Sequence, residues 1–420
     1  MLNNSPTINH KIQVFSNKAS FFCAIAFMVF IPSSTALMNL FIFLTLVFFL
    51  FSGNFTNNLR MSWQNPISKS ALFLFLLLLF SWTWTIGSNE EAFDILKKYN
   101  ELWYIALLLP IFNSDRRRNI GIIAYLISMG IILFGVYLMV FGIILPIEWT
   151  LKGKTGHFNI NGGFASHILT NILMAFAMFL SAHKSIFSKS FRKIPFIIFF
   201  IFSFYYVLFI NIGTSGQILA IALLFLLIIQ HAGRKSAFII PIFISLIAIY
   251  SFFNENNSIR FAIEKIGVRY HHLVSTDTAG NNTRPRIYIN SFKLIYDEPW
   301  IGTGVGSFGR ALKDKQPEFY AVNTTARKNP HNEFLMISVQ LGLAGLILLL
   351  NLFYKQAKFT NKIYKTEYKY MAQGLVILII IGCMGNSMIL DSREGHFWAF
   401  FSALLFSNLG KSSADKNESR

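Results

Sequence analysis

Long uninterrupted apolar stretches alternate with short polar links along this chain. Residues Thr35 to Phe51, Ala71 to Ile86, Ile120 to Leu145 and Pro195 to Ile212 carry no charge at all. A helical apolar run of about 18 or more residues is long enough to cross a bilayer. The pattern predicts twelve spans, at 20–33, 35–53, 70–87, 102–113, 119–146, 164–182, 194–211, 216–232, 235–253, 332–354, 370–389 and 396–410. The expected fold is an all-α polytopic membrane protein. Nine helices occupy 1–253, a large loop subdomain 254–331, three further helices 332–410, and a tail 411–420. Within the large loop, Ile287, Ser291, Leu294 and Ile295 fall on one helical face, and Gly302, Gly304 and Gly306 punctuate a turn. The apolar run Phe21 to Ile31 is followed at once by another span and lacks a small-residue cleavage site, so no cleavable signal peptide is expected.

Composition agrees with this reading: 54% of residues are hydrophobic and only 13% charged, more apolar surface than a soluble domain can bury. The net charge of +18 would suggest nucleic acid in a soluble protein. Its distribution says otherwise. With both termini on one side, that side holds 21 of the 37 Lys and Arg residues, and the short loops opposite hold 5. The other 11 lie in the large loop. Basic residues gather on the cytoplasmic side of short loops, so both termini are expected there and the large loop outside. The charge is then a topology signal, and no nucleic-acid partner is expected. Cys23 and Cys383 both sit in apolar runs, where neither a disulfide framework nor a metal site is implied.

The candidate chemistry lies where the large loop re-enters the membrane. In "PHNEFLMISVQLGLAG", His331 and Asn332 begin a helix, whose unpaired N–H groups and dipole favour an anion. A neutral imidazole there can take a proton from a hydroxyl near neutral pH. The same two residues also suit a simple interfacial helix cap, with Gly342 and Gly345 on one face for close helix packing. Upstream, Arg284 and Arg286 flank the stiff Pro285, and arginine's planar fork suits phosphate oxygens. A pair of solvated surface arginines is the alternative. The run "GTGVG" could cradle a phosphate or merely turn the chain, and it lacks the Lys-Ser/Thr of a nucleotide-binding loop. Two other stretches expected outside, "LKGKTGHFNINGG" with Lys154 and "DSREGH", carry polar groups that serve equally well as loop residues.

Taken together, the stretches resemble the O-antigen ligase and polymerase superfamily of bacterial membrane proteins. That family's histidine pattern is H, then N, S or Q, nine residues, G, two residues, and G, T or Y. His331, Asn332, Gly342 and Gly345 fit it throughout. The upstream family pattern is matched by Thr283, Arg284, Tyr288, Pro299, Gly302, Gly304, Gly306 and Phe308. Many members also carry an external arginine in a Gly-rich turn between two earlier spans. Here the corresponding "IGTSGQ" has Thr214 at that place and ends in Gln217, a departure from the family pattern.

The resemblance implies transfer of a glycan from an undecaprenyl-diphosphate donor to an acceptor hydroxyl at the periplasmic face of the bacterial inner membrane. His331 and Arg284 are the implied catalytic residues. Arg286, Asn332, Gly304, Thr214, Gln217 and Lys154 are the implied substrate contacts. No cofactor and no metal are expected. The favoured reaction is ligation of O-antigen to lipid A–core, with membrane lipids as the further partner. Polymerisation of O-antigen units, transfer to a protein serine and secondary transport are the alternatives.

Overall fold

The computed structural model describes residues 8–53, 55–151, 154–231, 283–322 and 327–407. The architecture is a helical bundle. Among the described residues, eight helices are long and apolar enough to cross a membrane. In chain order the helices begin with α1 (Ile8–Phe30), α2 (Thr35–Leu50), α3 (Phe55–Gln64) and α4 (Pro66–Phe80). Next come α5 (Asn89–Lys98), α6 (Glu101–Leu108), α7 (Asp115–Val140), α8 (His167–Phe187), α9 (Ile194–Tyr205) and α10 (Thr214–His231). After the undescribed stretch follow α11 (Thr283–Asp297), α12 (Phe308–Lys315), α13 (Pro317–Val322), α14 (Glu333–Thr360), α15 (Thr366–Gly385) and α16 (Ser392–Phe406).

Eight of the twelve expected spans therefore have a long helix. The expected 35–53 span is instead α2 followed by α3 at a 115° bend. The expected 102–113 is the short α6 extended by a tight turn over Leu109–Phe112, and α16 has only 15 residues. The expected 235–253 span lies outside the described residues, as do most of the large loop before 283 and the tail after 407.

Among the described residues the fold is all-α apart from one link. The link between α7 and α8 is a β-hairpin, β1 (Ile147–Leu151) against β2 (Lys154–Phe158), in antiparallel register from Ile147 opposite Phe158 to Leu151 opposite Lys154. Phe158 is buried against Gly135 of α7, where a Cβ would lie 2.7 Å from its ring. That contact fixes the hairpin on the end of the bundle.

Helix starts follow their sequence. Ser114, Ser166 and Asn65 cap α7, α8 and α4 by accepting N–H groups of the first turn, and Ser88 with Glu91 forms a capping box on α5. The centre of the bundle is α8 with α16: Leu169 to Lys184 are all buried, as are Glu394 to Phe406. Aromatic rings join them, with Phe176 5.0 Å from Phe401 and Tyr125 likewise 5.0 Å from Phe401. Lipid is as apolar as leucine, so such interlocking contacts, with polar ties, carry helix association. Ties include Tyr125 to the Leu173 carbonyl at 2.6 Å and Gln356 to Ser402 at 2.9 Å.

The helices α8 and α15 run antiparallel. Lys184 pairs with Glu367 at 2.6 Å, and Phe179 packs on Gly374 about two turns along. The start of α8, with its hairpin, thus lies at the same end of the bundle as the end of α15 and the start of α14.

Candidate active site

A break in α14 organises this end. At Gly342 the backbone turns to φ 60°, ψ −156°, and the helix is interrupted. In an unbroken helix the carbonyls of Val339 and Gln340 would accept from the N–H groups of Leu343 and Ala344. Here all four find other partners in the "PWIGTGVG" loop. Thr303 N–H donates to the Val339 carbonyl at 3.0 Å and Gly304 N–H to that of Gln340 at 2.8 Å. Leu343 N–H donates to the Pro299 carbonyl at 2.7 Å and Ala344 N–H to that of Trp300 at 3.2 Å. The Gln340 side chain also accepts from Gly306 N–H at 2.7 Å. Four backbone groups that the break would have orphaned are satisfied one for one, as buried backbone requires.

The loop is wedged on its far side by the end of α4. Val305 N–H donates to Ser81 Oγ at 3.0 Å, Thr85 Oγ1 donates to the Val305 carbonyl at 2.7 Å, and Ile86 N–H donates to the Thr303 carbonyl at 3.0 Å. The glycines are there for close approach. A Cβ on Gly304, at φ 88°, would lie 2.3 Å from the Thr85 Cα. Its N–H is engaged by the Gln340 carbonyl, and this close approach holds the loop against the end of α4. Gly342 receives the loop, and Gly345 is buried, with the Leu341 and Ile337 side chains of its own helix nearest to it.

Three turns above the break stands His331. Its φ of 54° is left-handed, which a non-glycine residue holds only when its surroundings impose it. The restraints are visible. His331 N–H donates to Asn329 Oδ1 at 2.8 Å, and Ser387 Oγ donates to the same oxygen at 2.7 Å. The Tyr288 hydroxyl of α11 lies 3.3 Å from the His331 carbonyl and 3.2 Å from that of Met384. Asn332 caps α14 by accepting Leu335 N–H at 3.1 Å, and its amide N–H₂ donates to the Met384 carbonyl at 2.9 Å. Both ends of the Asn332 amide are thus engaged within the protein.

Below these lies a group that sequence reading missed. Glu333 is fully buried and accepts three hydrogen bonds: from the Tyr99 hydroxyl at 2.7 Å, Ile389 N–H at 2.9 Å and Leu390 N–H at 3.2 Å. Burial, with the Glu333 carboxylate beside it, raises the Tyr99 hydroxyl well above its ordinary value. A second buried acid, Glu101, lies 2.8 Å from His396. In the turn between α15 and α16, burial pushes the Asp391 carboxyl up to about 6, against the opposing pull of Lys98. The signal available in sequence was a carboxylate placed among apolar helix residues, which is rare without a role.

The other expected site residues fall on three further elements, α11, β2 and α10. Position 284 begins α11 one turn before Tyr288, and the Arg284 side chain lies outside the described residues. Arg286 is exposed, with its guanidinium 5.9 Å from the Phe319 ring, in a cleft of about 620 Å³ shared with Asn290, Lys293 and Lys315. Lys154 begins β2, and its side chain too is outside the described residues.

Thr214 starts α10, and Gln217 turns back to donate to the Asn211 carbonyl at 3.1 Å. Around them is a buried polar knot: Asn171 donates to the Gly213 carbonyl at 2.6 Å, and Tyr206 to that of Asn161 at 2.9 Å. The wide turn of helix at Tyr206–Ile210 belongs to the same knot, a distortion often found at functional sites.

Both interlocked motifs lie within one matched stretch, as do Tyr206, Asn211, Gly213 and Gln217 of this knot. Residues 196–350 match the O-antigen ligase family. The O-antigen ligase match takes in the Thr214 turn, position 284, the glycine loop and the whole motif from His331 to Gly345. With the eight apolar helices it supports a multi-pass membrane glycosyltransferase of the O-antigen ligase and polymerase kind. No curated protein matches the chain.

Proposed function

We propose that this protein is an O-antigen ligase, transferring a glycan from undecaprenyl diphosphate to a sugar hydroxyl of lipid A–core at the periplasmic face of the inner membrane. The observation that carries the reading is the restrained His331 at the mouth of α14, held in a left-handed conformation beside a loop locked into that helix. A general base must meet its proton in a fixed geometry, and a rigid backbone supplies it.

In this mechanism His331 takes the proton of the acceptor hydroxyl as its oxygen attacks the anomeric carbon. The bond to the diphosphate breaks, with inversion, and the diphosphate leaves on its lipid. Positioned proton transfer contributes roughly 10²–10⁴-fold. Arg284 and Arg286 bind the diphosphate and stabilise the charge growing on it, help that often dominates such catalysis. Lys154, Thr214, Gln217 and Asn332 complete the substrate contacts, and no metal takes part. The lipid tail stays in the bilayer while the sugars stay in water, so the reaction belongs at the interface.

The test is expression of the wild type and His331→Ala in a strain lacking the gene, followed by gel analysis of lipopolysaccharide and measurement of lipid-linked glycan. Loss of the long-chain ladder, with full-length polymer accumulating on undecaprenyl diphosphate, is the expected result. Lipopolysaccharide carrying a single repeat unit would identify a polymerase instead. An unchanged ladder would remove His331 from the chemistry and leave it as part of a helix cap.

A further inference from the structure

The outer face of α11 is apolar and exposed. Ile289 is 54% exposed, Phe292 62% and Tyr296 86%, and just beyond the helix Trp300 is 72% and Ile301 53% exposed. At 100° per residue, Ile289, Phe292 and Tyr296 fall within an arc of about 60°. The opposite face is the one that packs inward: Ile287, Ser291 and Leu294 are buried, and α11 lies against α14. The arc is bordered on one side by Lys293 and Arg286, both exposed. The helix is therefore amphipathic twice over, with one apolar face in the protein and a second presented outward.

What covers the second face follows from its continuation. The carbonyl of Trp300 and the backbone nitrogen of Ile301 meet the break at Gly342. Directly along α14 from that break, Leu343, Ile347 and Leu350 are 42%, 54% and 48% exposed, at the spacing of one helical stripe. α14 is a span, so this stripe faces lipid. The exposed row on α11 is the same apolar surface carried on beside the upper turns of that helix. Tryptophan and tyrosine at the turning point suit the zone between hydrocarbon and water, and flanking lysine and arginine reach lipid phosphates while their stems lie on apolar surface.

From this continuity we infer that α11, which runs beside the first three turns of α14, presents this face to the bilayer, with Ile289, Phe292, Tyr296 and Trp300 among the lipid headgroups and upper chains. The partner of this face is the bilayer itself. The consequence concerns the site: Tyr288, on the same helix, bonds to the His331 carbonyl. Insertion of α11 fixes the height of His331 above the hydrocarbon, where a lipid-borne donor presents its diphosphate. The placement rests on the span assignment of α14 and stands whether or not the proposed reaction is correct.

The test uses the full chain with Cys23→Ser and Cys383→Ser, reconstituted in phosphatidylglycerol–phosphatidylethanolamine vesicles. Single spin labels are introduced by Phe292→Cys and Tyr296→Cys, with Ile347→Cys as the lipid reference and Lys313→Cys as the aqueous one. Collision with oxygen, which partitions into lipid, and with a water-soluble nickel chelate is then measured. Labels at 292 and 296 are expected to follow 347, with oxygen collision several-fold above that at 313 and little nickel collision. Nickel collision equal to that at 313 would overturn the insertion. Low collision with both would also overturn it, because the face would then be covered by protein such as the 232–282 segment. Should either variant fail to accumulate, Ile289→Cys reads the same face.

Discussion

Replacing Gly342 with alanine tests the interlock at its tightest point. The added Cβ would lie 2.4 Å from the Trp300 carbonyl carbon, 2.5 Å from its oxygen and 2.6 Å from the Ile301 nitrogen. All three are backbone atoms, so no side chain can swing aside. The backbone itself, at φ 60° and ψ −156°, occupies a region essentially reserved for glycine, and an alanine there costs roughly 1–3 kcal/mol. Overpacking against fixed atoms adds about 1–3 kcal/mol more. If the loop lifts away instead, four backbone hydrogen bonds are lost, each worth about 0.5–1.5 kcal/mol net. Either route gives a loss of about 2–6 kcal/mol. In a domain of moderate size that lowers the melting temperature by on the order of 5–15 °C. The assay is thermal unfolding of the detergent-solubilised protein, alongside transfer activity in membranes. Gly385→Ala is the control, since nothing lies within 4 Å of its Cβ and its helical backbone accepts alanine. A Gly342→Ala protein that melts with the wild type would refute the claim that the glycine loop and α14 are locked together at this residue.

Three further outcomes follow from the same geometry. Glu333→Ala orphans the Tyr99 hydroxyl and two buried N–H groups, each at a cost of roughly 1–3 kcal/mol, so the protein is expected to disappear from membrane blots, whereas Glu333→Gln keeps an acceptor for both N–H groups and is expected to accumulate; equal levels of the two would contradict the assigned bonds. Tyr288→Phe removes the hydroxyl shared by His331 and Met384, about 0.5–1.5 kcal/mol, and is expected to lower kcat several-fold with the donor KM and the membrane level unchanged; an unchanged kcat would mean that the hydroxyl does not restrain His331. Asp391 has its folded pKa raised to about 6 from an ordinary 3.8, so between these values the native state holds a proton that the unfolded state has lost, and stability falls as pH rises through this window. The cost is fully present above about pH 6 and amounts to at most about 3 kcal/mol, so Asp391→Asn should raise the melting temperature at pH 7.5 and leave it unchanged at pH 3.5. A wild-type melting curve that improves from pH 5 to 7 while the variant's does not would reverse the sign.

The sequence by itself determined the membrane class and most of the spans. Uncharged apolar runs, such as 120–145, have no stable place except lipid or a helical core, and their length sets the crossing. It also marked several helix starts, because a serine such as Ser114 or Ser166 caps from within a few residues of its own position. The His331 pattern was legible as a spacing, and Asn332 does cap the helix as one reading of it held.

What the spacing could not reveal was why its glycine stands where it does. Gly342 reads as an ordinary small residue in a transmembrane helix. Only the tertiary structure brings Pro299 to Gly306 against it, more than thirty residues away in the chain, and makes the break satisfiable. The same holds for Glu333, whose donors come from Tyr99 and from the turn at Ile389 and Leu390. The hairpin at 147–158 was missed because two short strands pay off only when Phe158 finds Gly135 of a neighbouring helix. Hydrophobic periodicity is a local property and survives in the sequence. Pairing of buried polar and backbone groups joins distant segments, and only the folded chain decides which of them meet.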